Sequence, residues 1–430
     1  MSGDLYNPQS AKPAPWQVVG TRGYMPLNSE GSASYSRYES ALVFNIGPQA
    51  VSGLRFVYAN RMMSSFGEAH GPNDFAIQCA MWTNPGSGSW NDSVWFSGVL
   101  SPTLQAGGPF LMSDIIETYC IPGQSIKVQS GAITSPNGAI AASKVAGSGW
   151  PQSFGCESTA ASSQVYNFGG SMTIPGGGVA STLTFAPLMV LGQPAKAHVA
   201  VAIMGASQAQ GTGDTPDSTT GFSGWAERML IGAAGNGISH PFTNLSRSGI
   251  GTKAGVFLGT YTWWSVVPYV SHVVIELGFN DISTLTLAQI QANLQTIWAR
   301  VRSKGKKVWQ SLLLPKTTST DSWATLVNQT IVTGYESSGY PLGTYPNYDA
   351  PAGSTGTRGA LNAWLVAQVA AGNLDGVLDG NAVVEAGSSP GKWAVTGVAN
   401  APTSDGQHPS ATNHAAIAAA LNTVVSAWTV

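Results

Sequence analysis

The stretch that decides the fold is His198-Val-Ala-Val-Ala-Ile-Met-Gly-Ala-Ser207-Gln-Ala-Gln-Gly-Thr-Gly-Asp214. Residues 199–204 are a short apolar run, partly β-branched and closed by Gly205. Such a run reads as a buried strand of a parallel sheet, not as a helix. The small pair Gly205-Ala206 lets the backbone turn where the strand ends, and Ser207 follows. A serine so placed stands at the carboxyl edge of the sheet, where ligands bind in open α/β folds. Taken alone, Gly-x-Ser is a common tripeptide, and a strand followed by a polar loop is the plainer account of it.

Downstream, strands alternate with helices, the mark of a parallel sheet wrapped by helices. Residues 222–231 fit a helix with Phe222, Trp225 and Met229 on one face. Val270-Ser-His-Val-Val-Ile-Glu-Leu277 reads as a second strand, closed by Gly278. Thr286 and Gln289 have capping-box spacing and open a helix with Ile290, Leu294, Ile297 and Val301 on one side, ended near Gly305. Residues 308–314 give a third strand, stopped by Pro315. Helices follow at 360–371 and at about 411–428, the latter with Ile417, Leu421, Val424, Val425 and Trp428 inward.

Upstream the pattern changes at Gly192-Gln-Pro-Ala-Lys196. Between 41 and 195 the period is two: Leu54, Phe56 and Tyr58; Phe75, Ile77, Cys79 and Met81; Ile126 and Val128; Met172 and Ile174; Leu183 and Phe185. Gly, Pro, Asn and Ser clusters at 84–87 and 174–178 punctuate them. Many short strands with such turns predict an antiparallel β-sandwich, jelly-roll-like in kind. Residues 1–40 are rich in Pro, Gly and Ser without periodicity and read as an extended N-terminal arm. The expected organisation is therefore an arm over 1–40, a β-sandwich over 41–195 and an α/β domain over 196–430.

Composition narrows the function classes. A chain of 430 residues exceeds the usual single core. Charged residues make up only 9% and the net charge is −2, which leaves no basic footprint for nucleic acid. No apolar window is long enough to span a membrane. The opening Met1-Ser-Gly-Asp-Leu-Tyr-Asn-Pro has no basic region followed by an apolar one, so no secretory signal is read there. Three cysteines, Cys79, Cys120 and Cys156, allow at most one internal disulfide, and their spacing fits no zinc pattern. Buried free thiols are the expectation.

Three later segments bear on Ser207. Leu245-Ser-Arg-Ser-Gly-Ile-Gly251 holds glycines whose backbone N–H could approach a ligand closely, although a plain turn is the simpler account. Gly278-Phe-Asn-Asp281 follows the second strand directly. Its Asn280 amide could donate to a developing oxyanion, and an ordinary Asn-Asp turn is the alternative. Asp405-Gly-Gln-His408-Pro is the most specific of the three. A carboxylate three residues ahead of a histidine can accept its ring N–H and fix the tautomer, leaving the other nitrogen as a base.

Gly-Ala-Ser207, Gly249, Gly278-x-Asn280-Asp and Asp405-x-x-His408, in that order, resemble the SGNH (GDSL-type) hydrolases over about residues 197–430. The resemblance implies a flavodoxin-like α/β/α sandwich and O-ester hydrolysis without metal or organic cofactor. It implies Ser207 as nucleophile, His408 as general base and then acid, and Asp405 as its orienter. The oxyanion hole it implies is the backbone N–H of Ser207, the backbone N–H of Gly249 and the Asn280 side chain. Two positions depart from the family: Ala206 stands where it usually has Asp, and Arg247 where it often has Asn. The second departure leaves Gly249 and Gly251 both open as donor, with Gly249 preferred. The Gly-x-Ser-x-Gly elbow of α/β-hydrolases fits less well, because Ala209 occupies its last position.

Esterases with a β-sandwich ahead of such a domain resemble carbohydrate deacetylases. The expected substrate is accordingly an acylated, foremost acetylated, carbohydrate, and the second choice is a small short-chain ester. The 14 tryptophans suit sugar stacking, although Trp263 and Trp264 sit in a helical context that favours the core. A binding protein of adhesin or virion type with an idle hydrolase fold is the alternative of another class. An extracellular or virion-associated location is expected.

Overall fold

The computed structural model describes residues 15–30, 36–64, 67–83, 92–135, 138–144, 155–157, 180–181, 183–217, 219–256, 260–335 and 356–430. The run before Ser207 is the fully buried strand Val201–Gly205, inside a six-stranded sheet. It pairs with Phe242–Asn244 on one side and His272–Glu276 on the other. Lys307–Ser311 and Gly376–Leu378 extend the sheet beyond His272–Glu276. All four pairings are parallel. Numbered along the chain, these five strands stand in the order 2-1-3-4-5, the doubly wound order of flavodoxin-like folds. The direction of winding reverses between the first and third of them, so the ligand crevice lies beyond the carboxyl ends of Val201–Gly205 and His272–Glu276.

Alternation along the central strand builds the layers, because successive side chains point to opposite faces. Val199, Val201 and Ile203 share a core with Trp225, Met229, Ile417, Leu421 and Val425. Ala200, Ala202 and Met204 share another with Ile290, Leu294, Ile297, Val301, Leu361 and Leu365. The helices behind the first core are Gly224–Arg228 and Ala411–Val425, and behind the second Leu287–Arg302 and Gly356–Ala370. Each fully buried Val, Ile or Leu contributes about 1.5–3 kcal/mol. With both faces of the strand buried, this segment therefore has no competing position at the surface. The Leu287–Arg302 helix begins where its sequence says it should. The Thr286 hydroxyl accepts the Gln289 N–H, and the Gln289 side chain accepts the Thr286 N–H. The element expected at 222–231 is shorter than its pattern, with helix at Gly224–Arg228 and turns beyond, yet Phe222, Trp225 and Met229 are all buried.

Three strands of this sheet were not legible as strands. Phe242–Asn244 and Gly376–Leu378 have three residues each, too few to show a period. The third is Gly23–Tyr24, which joins the sheet as its sixth strand, parallel to Phe242–Asn244. The segment read as a patternless arm thus carries strands at Gln17–Val18, Gly23–Tyr24 and Asn28–Glu30, each short and specified by its partner rather than by its own periodicity. Residues 1–14 and 31–35 of that arm lie outside the described residues. Gly23 is required by close approach. A Cβ there would stand 2.1 Å from the Leu188 carbonyl oxygen and 2.9 Å from Thr243 Oγ1.

Upstream of the parallel sheet lie antiparallel strands. One sheet contains Met189–Pro194 against Val51–Tyr58, and another contains Phe75–Trp82, Ser125–Ile133 and Arg37–Asn45. Leu54, Phe56 and Tyr58 of the first share a buried cluster with Ile77, Cys79, Met81, Ile126 and Val128 of the second. The Tyr58 hydroxyl ties them, bonded to Ser130 Oγ at 2.7 Å and Cys79 Sγ at 3.1 Å. Val57, on the opposite face, packs instead with the residues of the parallel sheet. The expected pair Met172 and Ile174 and the turns at 84–87 and 174–178 lie outside the described residues. Cys79 and Cys120 are buried free thiols, and burial pushes Cys79 up to about 12 and Cys120 up to about 11. Among the described residues no helix is long and apolar enough to cross a membrane.

Candidate active site

Ser207 opens a four-residue helix, Ser207–Gln210, one residue beyond the end of the central strand. Gly205 makes the turn possible, since a Cβ there would stand 2.6 Å from Ala209 Cβ and 3.1 Å from Glu276 Oε2. The serine is therefore presented at the switch point of the sheet, on a turn packed against the Ala209 and Glu276 side chains.

His408 reaches the same point from the far end of the chain. Its Nε2 lies 2.8 Å from Ser207 Oγ, and its Nδ1 lies 2.5 Å from Asp405 Oδ2. Asp405 accepts at Nδ1, so the ring proton sits on Nδ1 and Nε2 is free to accept the serine hydroxyl proton. The other carboxylate oxygen accepts the backbone N–H of Gln407 at 3.0 Å and of His408 at 2.9 Å. Burial works to raise the Asp405 pKa. The ring N–H of His408 and these two backbone N–H groups outweigh it and hold the carboxyl well below the usual carboxylate range. The turn itself is pinned from behind. The Gly406 carbonyl accepts Trp393 Nε1 at 2.9 Å and the Thr317 N–H at 3.0 Å. Ser410 then caps the closing helix by accepting the Asn413 N–H.

The other two predicted residues lie in neighbouring loops at the same sheet edge. Gly249 sits in the loop after Phe242–Asn244 with φ +81°, in the left-handed region. That loop is fixed to the central strand by the Arg247 N–H on the Gly205 carbonyl at 2.9 Å. Asn280 lies in the 3₁₀ turn Phe279–Asp281 after His272–Glu276, and its amide donates to the Ile250 carbonyl at 2.9 Å. A primary amide has two donor protons, so one is committed to holding the Gly249 loop and the second is available. Asp281 clasps the same loop by accepting the Thr252 N–H and hydroxyl, with Gly251 pressed against its carboxylate. The structure thus joins Ser207, His408 and Asp405 directly, and joins the Gly249 and Asn280 loops to each other through Ile250.

One neighbour of the nucleophile was missed in the sequence. Glu276 is buried, and its Oε2 accepts the N–H of Ala206 at 2.7 Å and of Ala209 at 3.3 Å. Burial pushes this carboxyl up to about 7 despite those two donors. The signal was available, because a glutamate inside the apolar run 270–277 is costly unless something bonds it. Asp214, at the end of the opening stretch, takes the Gly224 N–H and pairs with Arg228 at 2.8 Å, and so docks the next helix rather than a ligand. Among the described residues no group of three or more His, Cys, Asp or Glu side chains could hold a metal ion.

Fold and site together define a flavodoxin-like α/β unit with a hydrogen-bonded Ser–His–Asp chain at its switch point. No family model and no curated protein matches the sequence. Among solved structures the chain is similar to a member of the lipolytic protein G-D-S-L family from Veillonella parvula (18% identity, 54% of this chain and 100% of that one, TM-score 0.32). It is similar also to a GDSL-like lipase from Bacteroides thetaiotaomicron (16% identity, 53% and 87%, TM-score 0.32). A Bacillus subtilis protein is similar along 94% of this chain and 96% of its own, at 11% identity and TM-score 0.32. At such identities and scores these likenesses carry no weight of their own; strand order and hydrogen bonds do.

Proposed function

We propose that the protein is a serine ester hydrolase of SGNH (GDSL) type, with Ser207 as nucleophile, His408 as base and acid, and Asp405 as orienter. The observation that carries this reading is the unbroken chain from Asp405 through His408 to Ser207, with contacts of 2.5 and 2.8 Å, at the edge where doubly wound sheets bind ligands. Ser207 Oγ attacks the ester carbonyl while His408 Nε2 takes its proton, and the carbonyl becomes an oxyanion. The oxyanion is received by the backbone N–H of Ser207 and of Gly249 and by the free amide proton of Asn280. His408 then protonates the leaving alcohol, and water, deprotonated by the same ring, releases the acid from the acyl-enzyme. The residues supply nucleophile, base and oxyanion donors, so this chemistry calls on neither metal nor organic cofactor.

As substrate we propose an O-acetylated carbohydrate, with a small short-chain ester as the narrower activity. In this reading the antiparallel strands over 41–195 form a sandwich that helps bind the glycan, residues 1–40 are an extended N-terminal arm, 196–430 are the hydrolase unit, and the protein works outside the cell or on a virion. The test is acetate release by wild type and Ser207→Ala from p-nitrophenyl acetate, an acetylated xylan and an acetylated bacterial exopolysaccharide. Serine-dependent release from a polymer supports the full proposal. Release from the small ester alone reduces it to a general esterase. No serine-dependent release overturns it in favour of a glycan-binding protein with an idle hydrolase fold.

A further inference from the structure

The helix that bears Ser207 has four residues, and two of them are glutamines, Gln208 and Gln210. Each reaches into a different loop, and each ends on backbone. Gln208, 2% exposed, donates its amide to the Gln407 carbonyl at 2.8 Å. Gln210 uses its side-chain oxygen to accept the Ser248 N–H at 2.6 Å. Gln407 immediately precedes His408, and Ser248 immediately precedes Gly249. A side chain one residue from the nucleophile thus fixes the residue before the base, and one three residues away fixes the residue before the candidate oxyanion donor. The chemistry of the partners sets both amide orientations, since a carbonyl can only accept and an N–H can only donate.

We propose that Gln208 and Gln210 form a brace that sets the His408 loop and the Gly249 loop in register against Ser207. Both are positioning residues, and the proposal rests on the esterase reading above. Trp393 and Thr317 hold the His408 loop at Gly406, away from the nucleophile. Gln208 holds it from the nucleophile's own helix, so that base and serine move as one unit. Catalysis depends on sub-ångström placement of such groups, whereas binding of a small ester does not.

The test uses the full-length protein, a fluorophosphonate probe that phosphonylates Ser207 with loss of fluoride, and p-nitrophenyl acetate. In Gln208→Met and Gln210→Met, which keep volume and lose the polar end, the labelling rate and kcat should each fall about tenfold, the scale of one hydrogen bond. KM should stay within about twofold. The two sites should answer oppositely to a carboxylate. Gln208→Glu faces a carbonyl with no donor and should be no better than Gln208→Met, whereas Gln210→Glu still accepts the Ser248 N–H and should recover most of the loss. Asn422→Ala is the control. It removes amide bonds to the Met229 and Ile231 carbonyls on the closing helix, and should lower the melting temperature without lowering kcat. Wild-type rates in both Met variants, or an equal kcat loss in Asn422→Ala, overturn the brace alone. Failure of the probe to label Ser207 in the wild type overturns the esterase reading, and the brace with it.

Discussion

Replacing Asp405 by asparagine tests the catalytic reading at its weakest-looking member, because this side chain is 44% exposed. Three of the donors to this carboxylate are the two turn N–H groups and the ring. One oxygen accepts the N–H of Gln407 and His408, at 3.0 and 2.9 Å, and the other accepts the His408 ring at 2.5 Å. Asparagine has one accepting oxygen. Two backbone bonds, worth about 1 kcal/mol each, outweigh the single ring contact, so the oxygen stays on the turn and the NH₂ group faces Nδ1. The ring must then accept at Nδ1 and carry its proton on Nε2, which points a donor at Ser207 Oγ and removes the base. A buried triad aspartate changed in this way loses roughly 10⁴ in kcat. Water around the exposed Asp405 already screens part of its stabilisation of the imidazolium, so the expected loss is on the order of 10³, about 4 kcal/mol in the barrier. The assay is hydrolysis of p-nitrophenyl acetate by Asp405→Asn beside wild type, with thermal melting as the fold control. Because both backbone bonds survive, melting should shift by no more than about 2 °C. A kcat loss below tenfold with native melting would refute the assignment of Asp405.

Two further outcomes are expected. Asn280→Ala should lose on the order of 10²–10³ in kcat, and an unchanged rate would remove Asn280 from the oxyanion hole. Glu227 gives a stability effect of the opposite kind to a salt-bridged acid. Burial pushes its carboxyl from 4.5 up to about 7, against donors on Asn244, Ser223 and Tyr24. The folded chain thus keeps a proton that the unfolded chain releases, so stability should fall as pH rises from about 4.5 to about 7 and the cost is complete above that. Denaturant unfolding at pH 5, 6 and 7.5 should show this slope flattened in Glu227→Gln, and an identical slope in both proteins would refute the assignment.

What could be read in the sequence was what a single segment specifies by itself. The run before Ser207, the Thr286–Gln289 capping box and the Asp405–His408 spacing each carry their own physics within a few residues, and each appears in the structure. Strands such as Gly376–Leu378 and Gly23–Tyr24 were hidden, because two or three residues show no period and their place is set by partners far along the chain. The same reason hides Gln208 and Gln210. Nothing local marks which loop a glutamine reaches. In the antiparallel half the alternation of Leu54, Phe56 and Tyr58 was legible, but not that Val57 between them would be buried as well, against a second core.

The strand Gly23–Tyr24 has a consequence for how the molecule is made. In translation it precedes its hydrogen-bonding partner, Phe242–Asn244, which emerges only after the whole antiparallel half has been synthesised. Pairing across so long an interval is slow and keeps apolar surface waiting. Until it happens, the outer rim of the parallel sheet at Phe242–Asn244 is an open template for pairing with any other chain. A gene fragment encoding only residues 196–430 would make that condition permanent. Gly23–Tyr24 therefore acts as the final stave of the sheet, and the α/β half has its own covering strand only when that upstream segment is made with it.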